Sequence, residues 1–153
     1  MTRAPAAAEH AVLELERFLP YRLSVLSNRI SQDIARLYAG RWNLAVTEWR
    51  VLAVLGRHAD VSAREVAERT AMDKVAVSRA IASLLAAGRI ERDTHGGDRR
   101  RSCLRLSPAG RAIYDEVAPL ALDYQRRLLE GLAEDERAAL DRLLSRLEKA
   151  AES

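Results

Sequence analysis

Residues 77–88 read Val77-Ser78-Arg79-Ala80-Ile81-Ala82-Ser83-Leu84-Leu85-Ala86-Ala87-Gly88, and residues 98–110 read Asp98-Arg99-Arg100-Arg101-Ser102-Cys103-Leu104-Arg105-Leu106-Ser107-Pro108-Ala109-Gly110. The first stretch predicts a helix that buries Val77, Ile81 and Leu84 and turns polar side chains outward. The second places three consecutive arginines beside Gly96-Gly97, then an alternating strand, then a capped helix. A polar-faced helix followed by a basic hairpin is the layout of a winged helix-turn-helix. Each half suits a different part of a duplex: a helix reads base edges in the major groove, and a basic loop reaches phosphates or the minor groove.

Working outward, Asp73 is the expected N-cap of this helix, which runs to about Ala87 and is closed by Gly88. Ser62-Ala63-Arg64-Glu65 matches a capping box, so a helix to about Thr70 precedes it. Thr47 is the expected N-cap of an earlier helix through Leu55 or Gly56, with Trp49, Leu52, Val54 and Leu55 on its apolar side. Arg89-Ile90-Glu91-Arg92 and Ser102–Leu106 read as the two wing strands, with His95-Gly96-Gly97-Asp98 in the turn between them. Ser107-Pro108 opens a long helix to about Gly131, and a last helix starts near Asp135 with Leu140, Leu143, Leu144 and Leu147 inward. Upstream, a short helix is expected over 10–18, interrupted at Pro20. A long one follows to 39, with Leu23, Leu26, Ile30, Ile34 and Leu37 in one stripe and Gly40 ending it.

The whole chain, 1–153, reads as a single, mainly α domain with a small β-wing. The winged module covers 44–110, and the helices over 10–40 and 111–150 carry more apolar surface than so small a centre can cover. They are therefore expected to form the dimerisation region of a twofold homodimer, which also supplies two reading heads for two half-sites.

Charge agrees with this division. Between Arg57 and Arg111 there are 12 Arg/Lys against 7 Asp/Glu, a net of +5, while the remaining 13 basic and 15 acidic residues give a net of −2. The basic excess sits on the expected reading module, as a nucleic-acid binder requires, although an Arg-rich solvated surface would give the same count. No apolar run approaches membrane-span length, and the first ten residues lack the apolar core of a signal peptide. The single cysteine, Cys103, excludes an internal disulfide framework and fits a reducing cytoplasm. His10, His58 and His95 are too scattered for a metal site. No Gly-rich phosphate loop, nucleophile elbow or carboxylate pair appears, so catalysis is not expected and no cofactor is implied.

The run from Leu44 to Gly110 resembles the MarR (multiple antibiotic resistance regulator) family of winged-helix transcription factors. The resemblance rests on Val46-Thr47-Glu48-Trp49-Arg50-Val51-Leu52, Ser62 to Val66, Met72-Asp73-Lys74-Val75-Ala76-Val77-Ser78-Arg79, Leu84 to Ile90, and the wing pattern on Asp98, Arg100, Leu106, Ser107 and Gly110. It implies a triangular homodimer that binds a short pseudo-palindromic operator in double-stranded DNA, often near its own promoter, and that a small molecule often releases. Repression by promoter occlusion is the expected outcome, with activation as the alternative. The competing reading is a winged helix that binds a partner protein without specific DNA recognition.

Lys74, Val75, Ser78, Arg79 and Ser83 lie off the apolar face of the reading helix and are the expected base or phosphate contacts. Ser62 and Arg64, at the start of the preceding helix, suit phosphates. In the wing, Arg99 and Arg101 suit phosphate. By the resemblance, Asp98 and Arg100 either form an internal ion pair or act with Arg100 in the minor groove and Asp98 orienting it. An effector pocket is expected between the terminal helices and the module. Arg22, Ser27, Asn28 and Ser31 lie beside an apolar stripe there, with Tyr38, Trp42 and Trp49 as an aromatic lining. Arg or Asn beside aromatics suits a small aromatic carboxylate or phenol; the plainer reading places Trp49 in the core. Cys103, on the second wing strand, reads as an inert, partly buried thiol.

Overall fold

A computed structural model describes residues 10–94 and 102–153. Six α-helices and one two-stranded sheet make up most of them: α1 Leu19–Trp42, α2 Val46–Arg57, α3 Ala63–Thr70, α4 Lys74–Ala86, β1 Ile90–Thr94, β2 Ser102–Leu106, α5 Pro108–Leu128 and α6 Glu134–Ala151. This is the expected mainly α winged helix-turn-helix. α2, α3 and α4 pack together, and β1 and β2 pair antiparallel with Ile90 opposite Leu106 and Arg92 opposite Leu104. Val61, between α2 and α3, bridges to Leu104 as a one-residue third strand.

The helix boundaries follow local chemistry. Ser62 caps α3: its hydroxyl accepts from Glu65 N–H at 3.1 Å and its own N–H donates to the Glu65 carboxylate at 2.9 Å. Asp73 caps α4 by accepting from Ala76 N–H at 3.1 Å, and Gly88, at φ +69°, lets the chain turn into β1. Ser107 caps α5, accepting from Gly110 N–H and donating to the Gly88 carbonyl at 2.6 Å.

Four expected boundaries are corrected. The α2 N-cap is Ala45 rather than Thr47, because the Glu48 carboxylate takes the Ala45 N–H at 3.0 Å. α1 passes Gly40 and ends at Trp42, where Asn43 adopts the left-handed conformation. The expected helix over 10–18 is only a 3-10 turn at Leu15–Arg17. α5 stops at Leu128 rather than Gly131, while α6 begins at Glu134, next to Asp135 as expected, with Glu136 taking the Ala133 N–H.

One core holds the centre. Tyr38 and Leu44 enter it from the end of α1 and the following turn. Val51, Leu52 and Leu55 come from α2, Val66 from α3, Val77, Ile81 and Leu84 from α4, Leu104 from β2, and Ile113 and Val117 from α5. Gly110 is required where α5 crosses the strand: a Cβ there would run into the Arg89 carbonyl oxygen. Beyond Val117 the burial stops. Pro119 sits inside α5 just after the last core residue and takes one hydrogen bond out of the helix ladder. α6 contains no buried residue.

Candidate nucleic-acid interface

The reading helix α4 turns Val77, Ala80, Ile81 and Leu84 into the core. At 100° per residue the opposite ridge is Val75, Arg79, Ala82 and Ala86, with Lys74 and Ser78 on one flank and Ser83 on the other. All seven of these side chains are exposed. Its neighbour α3 presents Arg64 beside α4, and β1 presents Arg92. Together Arg64, Lys74, Ser78 and Arg92 line a groove of about 420 Å³ whose floor is apolar, from Ala67, Val77, Ile81 and Leu85. The structure thus brings Arg64, Lys74 and Ser78 together from two helices.

Arg92 is the residue that the sequence reading missed. Its signal is strand alternation. It lies on the same face of the hairpin as Ile90 and opposite Leu104, the face that packs toward α4, and it donates to Ser102 Oγ at 3.0 Å. The other face of the hairpin carries the acids. There Arg105 is held among Glu91 at 3.5 Å, Asp93 at 3.2 Å and Asp60 at 3.8 Å. The Glu91 hydrogen bond first, and Asp93 next, raise the Arg105 pKa. Three of the module's carboxylates are therefore gathered on the far side of the sheet. On the α4 side, Glu68 is paired with Arg64 at 3.0 Å and Asp73 is spent on its cap. Lys74 and Arg79 have no acidic partner among the described residues.

Ser83 has a structural bond as well as its exposed position. Its hydroxyl donates to Glu48 at 3.0 Å, and the same carboxylate caps α2 through Ala45. Glu48 thereby ties the end of the reading helix to the start of α2. Ser62 is likewise engaged as the α3 cap. Asp98, Arg99, Arg100 and Arg101, with the His95-Gly96-Gly97 turn, lie outside the described residues.

The residues expected around an effector are divided among different environments. Arg22, Ser27 and Asn28 are exposed on the first half of α1. Ser31 accepts from Arg50 at 2.9 Å, linking α1 to α2. Tyr38 is buried, its ring 5.7 Å from that of Trp49, which in turn stacks on Tyr114 at 6.1 Å. Trp49 is half-buried against the core. The Tyr38 hydroxyl has no hydrogen-bond partner among the described residues. Burial pushes its pKa up, while the Arg50 charge pulls it down. Trp42 sits apart: Arg41 stacks on its ring at 4.8 Å, and its carbonyl accepts from Arg89 at 2.7 Å. Cys103 is half-buried on the acidic face, opposite Asp93. Among the described residues no cluster of His, Cys, Asp and Glu has the arrangement of a metal site, and no helix is long and apolar enough to cross a membrane.

Known proteins share this fold. A model of the MarR family matches residues 42–101, from the last residue of α1 to the residue before β2. The HTH-type transcriptional regulator BilQ of Clostridium symbiosum is 30% identical over 99 residues, spanning 65% of this chain and 69% of BilQ. This chain belongs to the MarR family of transcriptional regulators. A MarR/EmrR family regulator from Acinetobacter superposes with a TM-score of 0.84 at 26% identity, covering 92% of this chain and 99% of that one. A mutant MarR from E. coli, solved in complex with operator DNA, shares the fold with a TM-score of 0.73 at 24% identity, covering 90% of this chain and 99% of that one.

Proposed function

We propose that this MarR-family chain is a sequence-specific DNA-binding regulator, acting in the cytoplasm as a homodimer on a pseudo-palindromic operator. The observation that carries this reading is the convergence of Arg64, Lys74 and Arg92 around α4, on the side of the hairpin opposite the Asp60, Glu91 and Asp93 carboxylates. Val75 and Arg79 stand on the outer ridge of that helix, where base edges would lie. The E. coli relative solved on operator DNA supports the same use of the fold.

The segments outside the winged module supply the dimer in this reading. Leu140, Leu143, Leu144 and Leu147 recur along one stripe of α6 and are 38–48% exposed, and Phe18, Leu19, Leu23, Leu26, Leu120 and Leu128 are exposed with them. So much apolar surface at the two ends of one chain fits a partner of the same kind.

Control comes from an effector at the junction of these helices with the module, where α1, α2 and α5 bring Tyr38, Trp49 and Tyr114 together near Arg50. Three aromatic rings, a guanidinium and an unpartnered phenol suit a small aromatic carboxylate or phenol. Its binding would alter the separation of the two reading helices and release a repressor.

Fluorescence anisotropy tests the DNA reading. Duplex from upstream of this protein's own gene should bind in preference to scrambled duplex, with log K falling linearly in log salt by about 0.9 per phosphate neutralised. Equal, weak binding to both duplexes would sink it. Calorimetry with benzoate- and salicylate-type acids and phenols tests the effector: no heat from any of them removes that part alone.

A further inference from the structure

Between Leu44 and Gly110, Val75 is the one large apolar side chain that is exposed among the described residues, at 55%. Every other large apolar residue of the module is buried or partly buried against the core. Val75 occupies the second position of α4, between the core-opposed ridge residue Arg79 one turn on and the groove residues Lys74 and Ser78. A β-branched residue at an exposed helical position is a poorer helix former than Ala, because its χ1 is restricted, and here the side chain lies outside the core that would compensate. A local choice that the fold does not reward marks a functional position.

The ridge around Val75 narrows what that function is. Arg79 and the small Ala82 and Ala86 continue the line at i+4, i+7 and i+11, so the surface offers one cation among methyl groups and no carboxamide or carboxylate. In the major groove the only apolar feature on any base pair is the thymine C5-methyl group, and small apolar side chains recognise it by contact. Lys74 and Arg92, beside the ridge, are placed for phosphates, which fix the helix in the groove without reading sequence. We infer that Val75 is a specificity-determining residue that contacts a thymine methyl in each half-site, next to the base pair addressed by Arg79. This rests on the DNA-binding reading above and adds to it a base, an atom and a side chain.

The test starts from duplexes that the full-length protein selects from a random pool, so the operator sequence emerges from the selection itself. In the selected sequence each thymine is replaced in turn by deoxyuridine, which lacks only the C5-methyl. Affinity is then measured for the wild type, Val75→Ala and Val75→Thr. At one thymine per half-site the wild type should lose about four-fold, the value of one buried methyl group. Val75→Ala, which draws the contact back to Cβ, should lose most of that discrimination. Val75→Thr, which keeps one methyl, should recover part of the discrimination. A wild type indifferent to every uracil, or a Val75→Ala variant that discriminates as well as the wild type, would overturn the inference while leaving DNA recognition standing. A pool that yields no shared sequence at all would overturn the DNA reading itself. Because Val75 lies outside the core and is 55% exposed, its variants should unfold near the wild-type temperature, so a lost discrimination is not a lost fold.

Discussion

The centre of this molecule and its ends are built from the same residue types and use them in opposite ways. From Leu44 to Val117, leucine, valine and isoleucine converge on one interior: Leu52, Leu84 and Leu104 are fully buried, joined by Tyr38 from α1. In the first half of α1, the last third of α5 and all of α6, leucines of the same spacing face outward, and α6 buries nothing. The periodicity of an apolar stripe therefore says that a helix has a partner face, and leaves open which chain supplies it. Pro119 falls at the seam between the two regimes, inside a helix that belongs to both. In physical terms the centre buries its own apolar residues, and the ends carry apolar stripes that the described residues leave exposed.

The largest way to break that contrast is through the core. Leu84→Ala removes a fully buried side chain where α4 meets the core, and should cost about 2–5 kcal/mol of unfolding free energy in denaturant titration. A cost below about 1 kcal/mol would mean the centre is not the rigid body described. Next in size is the interface. Leu143→Glu combined with Leu147→Glu should convert a dimer to a monomer in sedimentation velocity. It should weaken operator binding about ten-fold or more, because two half-sites are no longer held by one particle. The stability of the centre should change by less than about 0.5 kcal/mol. A wild type that sediments as a monomer would remove the distinction between the two regions altogether.

The joint between the regions gives a smaller and sharper test. Arg89, at the mouth of β1, donates to the Trp42 carbonyl at the last turn of α1, and the adjacent Gly88 carbonyl accepts from Ser107 at the start of α5. Both helices that leave the module are thus fastened to the turn that follows the reading helix. Arg89→Ala should cost about 1.5–3 kcal/mol, the range for a hydrogen bond with a charged donor whose partner is left half-buried. The loss of operator affinity should exceed what the same destabilisation produces in Leu84→Ala. Equal effects on affinity at equal stability would show that the joint does not orient the reading head.

Much of the centre was legible in the sequence because its signals are local. Asp73 and Gly88 bracket α4, the Ser62 capping box fixes α3, and Ser107-Pro108 starts α5, each through hydrogen bonds made within a few residues. The outward ridge of α4 followed from its period alone. What was not legible depends on distant partners. The α2 start moved because a carboxylate at Glu48 outcompeted the nearer hydroxyl of Thr47, and Glu48 also reached Ser83 across the fold. Arg92 joined the groove only because the hairpin register turned it toward α4. The expected helix over 10–18 reduced to a single turn because a short helix without a packed face does not hold itself. The ends were hardest to read for the same reason: no packed interior within the described residues fixes them.

The smallest effect probes a polar joint inside the centre. His58 caps the C-terminus of α2 with its Nε2 3.4 Å from Arg69 of α3, and Arg57 precedes it. Partial burial of the ring, then the Arg69 and Arg57 charges, lower its pKa below the ordinary 6.5. The unfolded chain therefore takes up this proton first as the pH falls. Stability contributed through His58 is intact above about pH 6.5, and it declines as the pH drops from there through the lowered value in the folded state. Arg69→Ala removes the larger of the two repelling charges, so the His58 resonance should titrate closer to 6.5 by NMR and the acid-side loss of stability should shrink. A wild-type His58 titrating at or above 6.5 would contradict the contact between α2 and α3 as described. An unchanged titration in Arg69→Ala would instead assign the shift to burial and the remaining Arg57 charge, at the one histidine that the centre holds among its described residues.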